Sequence, residues 1–252
     1  MIKIEFLKSI QGSEKENEDV ADFYKNYCWI IDGATDLFES SNKIGCSVGE
    51  IVNQISVQIS KFCDDRKTLE EILIASISQV SQQFFDFRNH SQTFFSKLPT
   101  FSIIFCREID NQFEYLILGD CYLIYDGNVI TDNRISRFSK MNKMKLKNAL
   151  KQSSTISPND RLSILQAVRL KANARDGYPI GSMYPDSIKN AIKGSFTHDQ
   201  LNSFIIMSDG FYSFYNSDKP LLEISNYIEF DLGIDNVYGK KDDASVMKGV
   251  LI

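Results

Sequence analysis

Residues 29–38 read Trp-Ile-Ile-Asp-Gly-Ala-Thr-Asp-Leu-Phe, and the fold turns on them. The run Tyr27–Ile31 is rich in β-branched and aromatic residues and predicts a buried strand. The strand is expected to stop at Asp32. Gly33 beside it can take unusual backbone angles or let a ligand approach closely. A carboxylate at the mouth of a rigid strand suits a metal or phosphate site. It also suits an ordinary Asp-Gly turn, the commoner origin of any single such pair.

Outward from this stretch, residues 1–7 alternate as a second strand rather than a signal peptide. Residues 43–63 place Ile44, Val48, Ile51, Ile55 and Ile59 at helical spacing. Residues 68–88 do the same, with Thr68 and Glu71 forming a capping-box pattern. Strands 100–109 and 112–120 meet at Asp110-Asn111, and a second hairpin spans 121–130 around Asp126-Gly127. Residues 140–152 are helix-prone, and 157–172 begin with Ser157 as a cap and Pro158 at the first helical position. Residues 199–211 predict a strand ending in Asp209-Gly210, and the last residues predict another. Strands segregated from helices indicate α+β, and the absence of a linker or repeat indicates one domain over 1–252.

The composition is 43% hydrophobic and 24% charged, with a formal net charge of -5, which is ordinary for a globular chain without a nucleic-acid partner. The lysines of 140–151 read as a solvated helix face. No apolar run is long enough to span a membrane. The five cysteines lack C-x-x-C spacing and read as reduced core thiols of a cytoplasmic protein. His90 and His198 have no partners with zinc-site spacing.

The opening pattern recurs. Glu18-Asp19, Asp32, Asp120, Asp209 and Asp242-Asp243 all flank apolar strands. Carboxylates that converge repel one another. Hard divalent cations relieve that repulsion and prefer oxygen ligands.

In order along nearly the whole chain, the stretches 17–19 (Asn-Glu-Asp), 29–35, 98–109, 115–125, 173–182, 204–214 and 240–247 resemble the metal-dependent type 2C protein serine/threonine phosphatases, in their bacterial-like branch. The resemblance implies an antiparallel β-sandwich flanked by helix pairs. It implies hydrolysis of phosphoserine and phosphothreonine on proteins by water activated between two Mn²⁺ or Mg²⁺ ions, with a weaker third ion in some members. It casts Asp32 as the carboxylate bridging both ions and Gly33 as a carbonyl ligand. Asp19, Asp209 and Asp242 become further ligands, Glu18 a neighbouring acid, and Asp120 the holder of the third ion. Asp32 and Asp209 carry the catalytic role.

Two positions depart from the family pattern. Glu14 stands where many members carry a phosphate-holding arginine, and Ala34 where a histidine commonly follows Asp-Gly. Lys15 and Arg175 are the expected substitutes at the substrate phosphate. A lost acid typically slows such chemistry by ~10²–10⁴-fold. The rival expectation is therefore a non-catalytic binding or regulatory module that keeps the fold.

Overall fold

Five consecutive residues, Tyr27–Ile31, are buried. Successive side chains of a strand point to opposite faces, so both faces must be covered. The computed structural model, which describes residues 1–84, 92–152, 156–231 and 241–252, shows how. The strands are β1 (Ile2–Ile10), β2 (Asp19–Tyr24), β3 (Tyr27–Ala34), β4 (Thr100–Ile109), β5 (Gln112–Leu118), β6 (Tyr122–Tyr125), β7 (Asn128–Thr131), β8 (Gly181–Ser182), β9 (Ile192–Thr197), β10 (Ser203–Met207) and β11 (Ala244–Leu251). The helices are α1 (Ser40–Ile44), α2 (Val48–Phe62), α3 (Leu69–Ser81), α4 (Gln92–Phe95), α5 (Ser136–Gln152), α6 (Pro158–Arg169), α7 (Asp209–Tyr212) and α8 (Leu221–Asn226).

One sheet runs β1-β11-β10-β6-β7 and the other β2-β3-β4-β5-β9, with β8 paired to β4. Every pairing between these named strands is antiparallel. Cys28 and Ile30 of β3 face inward with Ile104 and Ile117 and meet Leu123, Phe204, Ile206 and Met247 of the opposing sheet. Trp29 and Ile31 face outward and pack on α2 and α3 through Ile51, Ile55, Ile72 and Leu73. The outer face of the other sheet, at Ile124, Met207 and Val246, is covered by Phe211 of α7 and Ile224 of α8. The result is the expected α+β antiparallel sandwich with helices on both sides.

Local chemistry sets the boundaries. Asp110 and Asn111 have φ of 51° and 61°, and Asp126 and Gly127 have 45° and 76°. Both hairpins therefore close through left-handed turns that match strand twist. Thr68 and Glu71 cap α3 reciprocally, and Ser157 caps α6. In α5 the lysines Lys140, Lys145 and Lys147 are exposed while Phe138, Asn142 and Leu146 are buried, a solvated face over a buried stripe.

Four boundaries differ from expectation. The 43–63 helix is broken at Gly45, whose φ of 65° ends α1, and Ser47 with Glu50 starts α2 afresh. The 68–88 helix stops at Ser81, 82–84 form a turn, and 85–88 lie outside the described residues. β3 does not stop at Asp32 but continues through Gly33 and Ala34, because both pair with β4. Asp209 is not the end of a strand: β10 closes at Met207, and Asp209 opens α7.

Candidate active site

Sheet register builds the first half of the site. Asp19 pairs with Asp32 across β2 and β3, and Asp32 pairs with Ser102 across β3 and β4. The next group along that row is Asp120, just past β5, whose Oδ1 accepts a hydrogen bond from Ser102 Oγ at 2.7 Å. The opposing sheet supplies the rest: Asp209 at the start of α7 and Asp242 just before β11. Asp32, Gly33, Asp120, Asp209 and Asp242 all line one cleft of about 270 Å³. Asp19 is buried beside them without forming part of the cleft wall. Glu18 is half-buried and also off the wall.

Gly33 has no positive φ, so unusual backbone angles are not its reason. Its N–H donates to the Glu18 carbonyl at 3.0 Å. A Cβ there would lie 2.5 Å from that oxygen and 2.8 Å from Val48 Cγ1. Close packing of β2, β3 and α2 requires glycine.

The electrostatics are those of crowded acids. Burial, then Asp19, Asp209, Asp120 and Asp242, pushes the Asp32 carboxyl well above its ordinary range. Asp209 rises through burial, then Asp120 and Asp242, with Lys143 of α5 opposing. Asp19 rises to about 7, chiefly by burial, with the Ser208 hydroxyl opposing and Asp243 adding to the rise. Burial also raises Asp120, and Ser102 offsets it. The Oδ2 of Asp19 is buried without a hydrogen-bond partner. This donor set is all oxygen and suits a hard divalent cation in kind. Among the described residues, however, no three His, Cys, Asp or Glu side chains close round one point as a finished ligand group.

Asp243 has a different task. Its Oδ1 accepts from Gly12 N at 2.5 Å and its Oδ2 from Glu18 N at 2.6 Å. It clamps the segment between β1 and β2 against the start of β11.

The cations of the cleft are not those expected. Lys15 and Arg175 are exposed and stand off its wall. Arg161 and Arg169 of α6 line it instead, with Leu165 and Val168 between them on the same helix face. Their spacing of one helix face was the available signal, but only packing shows where that face points. Ala34 lines the cleft and Glu14 does not. The described residues of the wall include no cysteine or histidine. All five cysteines are free. His198 pairs with Glu108 at 3.2 Å, and His90 lies outside the described residues.

No family model matches the chain, and no curated protein matches it in sequence. Solved structures do match. The catalytic domain of the serine/threonine phosphatase PstP, in complex with two manganese ions, is 12% identical, with a TM-score of 0.57 over 100% of this chain and 98% of that one. PstP/Ppp of Mycobacterium tuberculosis is 13% identical, with a TM-score of 0.55 over 99% and 98%. Stp1 of Staphylococcus aureus is 12% identical, with a TM-score of 0.53 over 100% and 94%. From end to end, the chain has the fold of the type 2C serine/threonine phosphatases.

Proposed function

We propose that the chain belongs with these phosphatases in activity as well as in fold: a hydrolase that removes phosphate from serine and threonine of proteins and uses Mn²⁺ or Mg²⁺. The observation behind this reading is the convergence of Asp32, Asp120, Asp209 and Asp242 from both sheets on one cleft. When bound, two such cations supply what the acids lack: they screen the carboxylates, polarise phosphoryl oxygens and make water acidic enough to attack phosphorus. Asp19, Asp32, the Gly33 carbonyl, Asp209 and Asp242 would hold them, with Glu18 adjacent. Asp120, steadied by Ser102, would serve a third, peripheral ion.

Asp32 lies between Asp19 and Ser102 in the ladder and feels the charges of Asp19, Asp209, Asp120 and Asp242. With Asp209 it would orient the attacking water through its carboxylate oxygens and accept the proton that water releases. The P–O bond to serine or threonine then breaks, and the departing oxygen takes a proton at the open mouth of the cleft. A cysteinyl or histidyl phosphoenzyme has no support from the described wall.

Hydrolysis of a generic aryl phosphate, with Mn²⁺, with Mg²⁺ and with excess chelator, tests this reading. Turnover should require the cation. Asp209→Asn should lower it by about 100-fold or more, the scale for losing a group that stabilises transition-state charge. Calorimetric cation binding without turnover in any ion would instead favour the binding module, with Glu14 and Ala34 as its marks.

A further inference from the structure

A phosphate monoester dianion entering this cleft meets carboxylates on one wall and needs positive charge on the other. Among the described residues of the wall, that charge is carried by Arg161 and Arg169. They lie eight residues apart, roughly 12 Å along α6, so they serve different parts of a ligand. Arg169 lies in the field of Glu18 and Asp36, beside the buried end of β2 and the segment after β3. It shares the cleft wall with Tyr178, whose ring packs on Phe138 with centroids 5.0 Å apart.

A second feature points to a ligand. Asn142 of α5 lines the same cleft, is 9% exposed, and keeps its Oδ1 buried without a partner. An unpaired buried acceptor is unfavourable, and a ligand donor would relieve it. A phosphate dianion has no donor to offer. A peptide backbone N–H does. Around Asn142 the wall is apolar, with Phe138 on its own helix, Val168 on α6, and Ile180. The cleft encloses about 270 Å³.

We propose that α5 and α6 form a phosphopeptide-reading wall: Arg169 holds the outer phosphate oxygens, Asn142 accepts a backbone N–H, and Phe138, Val168 and Ile180 take an apolar side chain next to the phosphorylated residue. This rests on the phosphatase reading and assigns its substrate side.

The experiment measures both binding and turnover in the Mn²⁺-loaded protein, with two phosphoserine peptides, one carrying leucine beside the phosphoserine and one carrying aspartate, and with an aryl phosphate. Arg169→Met should weaken peptide Kd and raise KM by about 10–100-fold with kcat changed far less, and Arg169→Lys should recover part of the loss. Asn142→Leu should lower the ratio of peptide to aryl phosphate kcat/KM by about tenfold. The leucine peptide should bind more tightly than the aspartate peptide. Unchanged peptide Kd in variants whose thermal melts match the parent would overturn the proposal. So would an Asn142→Leu loss equal on both substrate types, or no peptide binding by the parent. Peptide binding that responds to Arg169 and Asn142 without any turnover would leave this wall standing and bring down the phosphatase reading instead.

Discussion

Asp19 concentrates the conflict that shapes the site. It is buried, faces Asp32 across the ladder, and has one oxygen without a partner. Its carboxyl is raised from 3.8 to about 7, first by burial. Folding therefore favours the protonated form. Below the unfolded value both states carry the proton and the full contribution is present. As pH rises from about 4 to about 7, the unfolded chain releases its proton while the folded chain must hold or expel one, and stability falls. Thermal melts in chelator should show Tm dropping across that window, by an amount corresponding to a few kcal/mol. Asp19→Asn should flatten the slope, and a profile unchanged by that substitution would refute the assignment. At this scale the acids were readable because each abuts an apolar run. Arg161 and Arg169 were not, since nothing in a capped helix pattern says which face meets a cleft built by residues as distant as Asp32 and Asp242. Lys15 and Arg175 were favoured by position along the chain, and that does not determine position in space.

α7 is only four residues long, yet it holds Asp209 in the wall of the cleft. Gly210 makes that placement possible: a Cβ there would sit 1.9 Å from the Asp243 carbonyl oxygen. The neighbour is backbone and cannot swing aside, so Gly210→Ala should cost about 1–3 kcal/mol or more, the range for forced overpacking. A shift of the urea midpoint at constant m-value would measure it, and a midpoint within error of the parent would contradict it. Elements announced by local chemistry were legible in the residues: the Thr68–Glu71 box, Ser157 before Pro158, and the left-handed pairs Asp110-Asn111 and Asp126-Gly127. Elements whose existence depends on a distant partner were not. β8 is two residues held against Thr100 and Phe101. β9 is an edge strand with glycine and serine in its middle, and its pairing with β5 supplies what its own propensity does not.

In the molecule as a whole, Asp243 ties the two sheets together at the site's end. It stands just before β11 of one sheet and takes the Glu18 N–H that leads into β2 of the other, along with the Gly12 N–H after β1. Hydrogen bonds to a charged group contribute about 1.5–3 kcal/mol each. Asp243→Ala should therefore lower unfolding stability by about 2–4 kcal/mol and loosen residues 12–18. Denaturant titration and amide exchange over that segment would check both, and a variant as stable and protected as the parent would rule the clamp out. The α+β class was legible because the strands are so apolar and stand apart from the helices, while the sandwich came from the family resemblance. Tyr27–Ile31 needed two covered faces, and the two sheets and their helices provide them. The rung that joins Asp19 to Asp32 has the opposite character. Like charges set opposite each other weaken a ladder, so under the proposed phosphatase reading any change that made this rung a better piece of sheet would make it a poorer seat for a cation. Selection for sturdiness and selection for the cleft pull the same two residues in contrary directions.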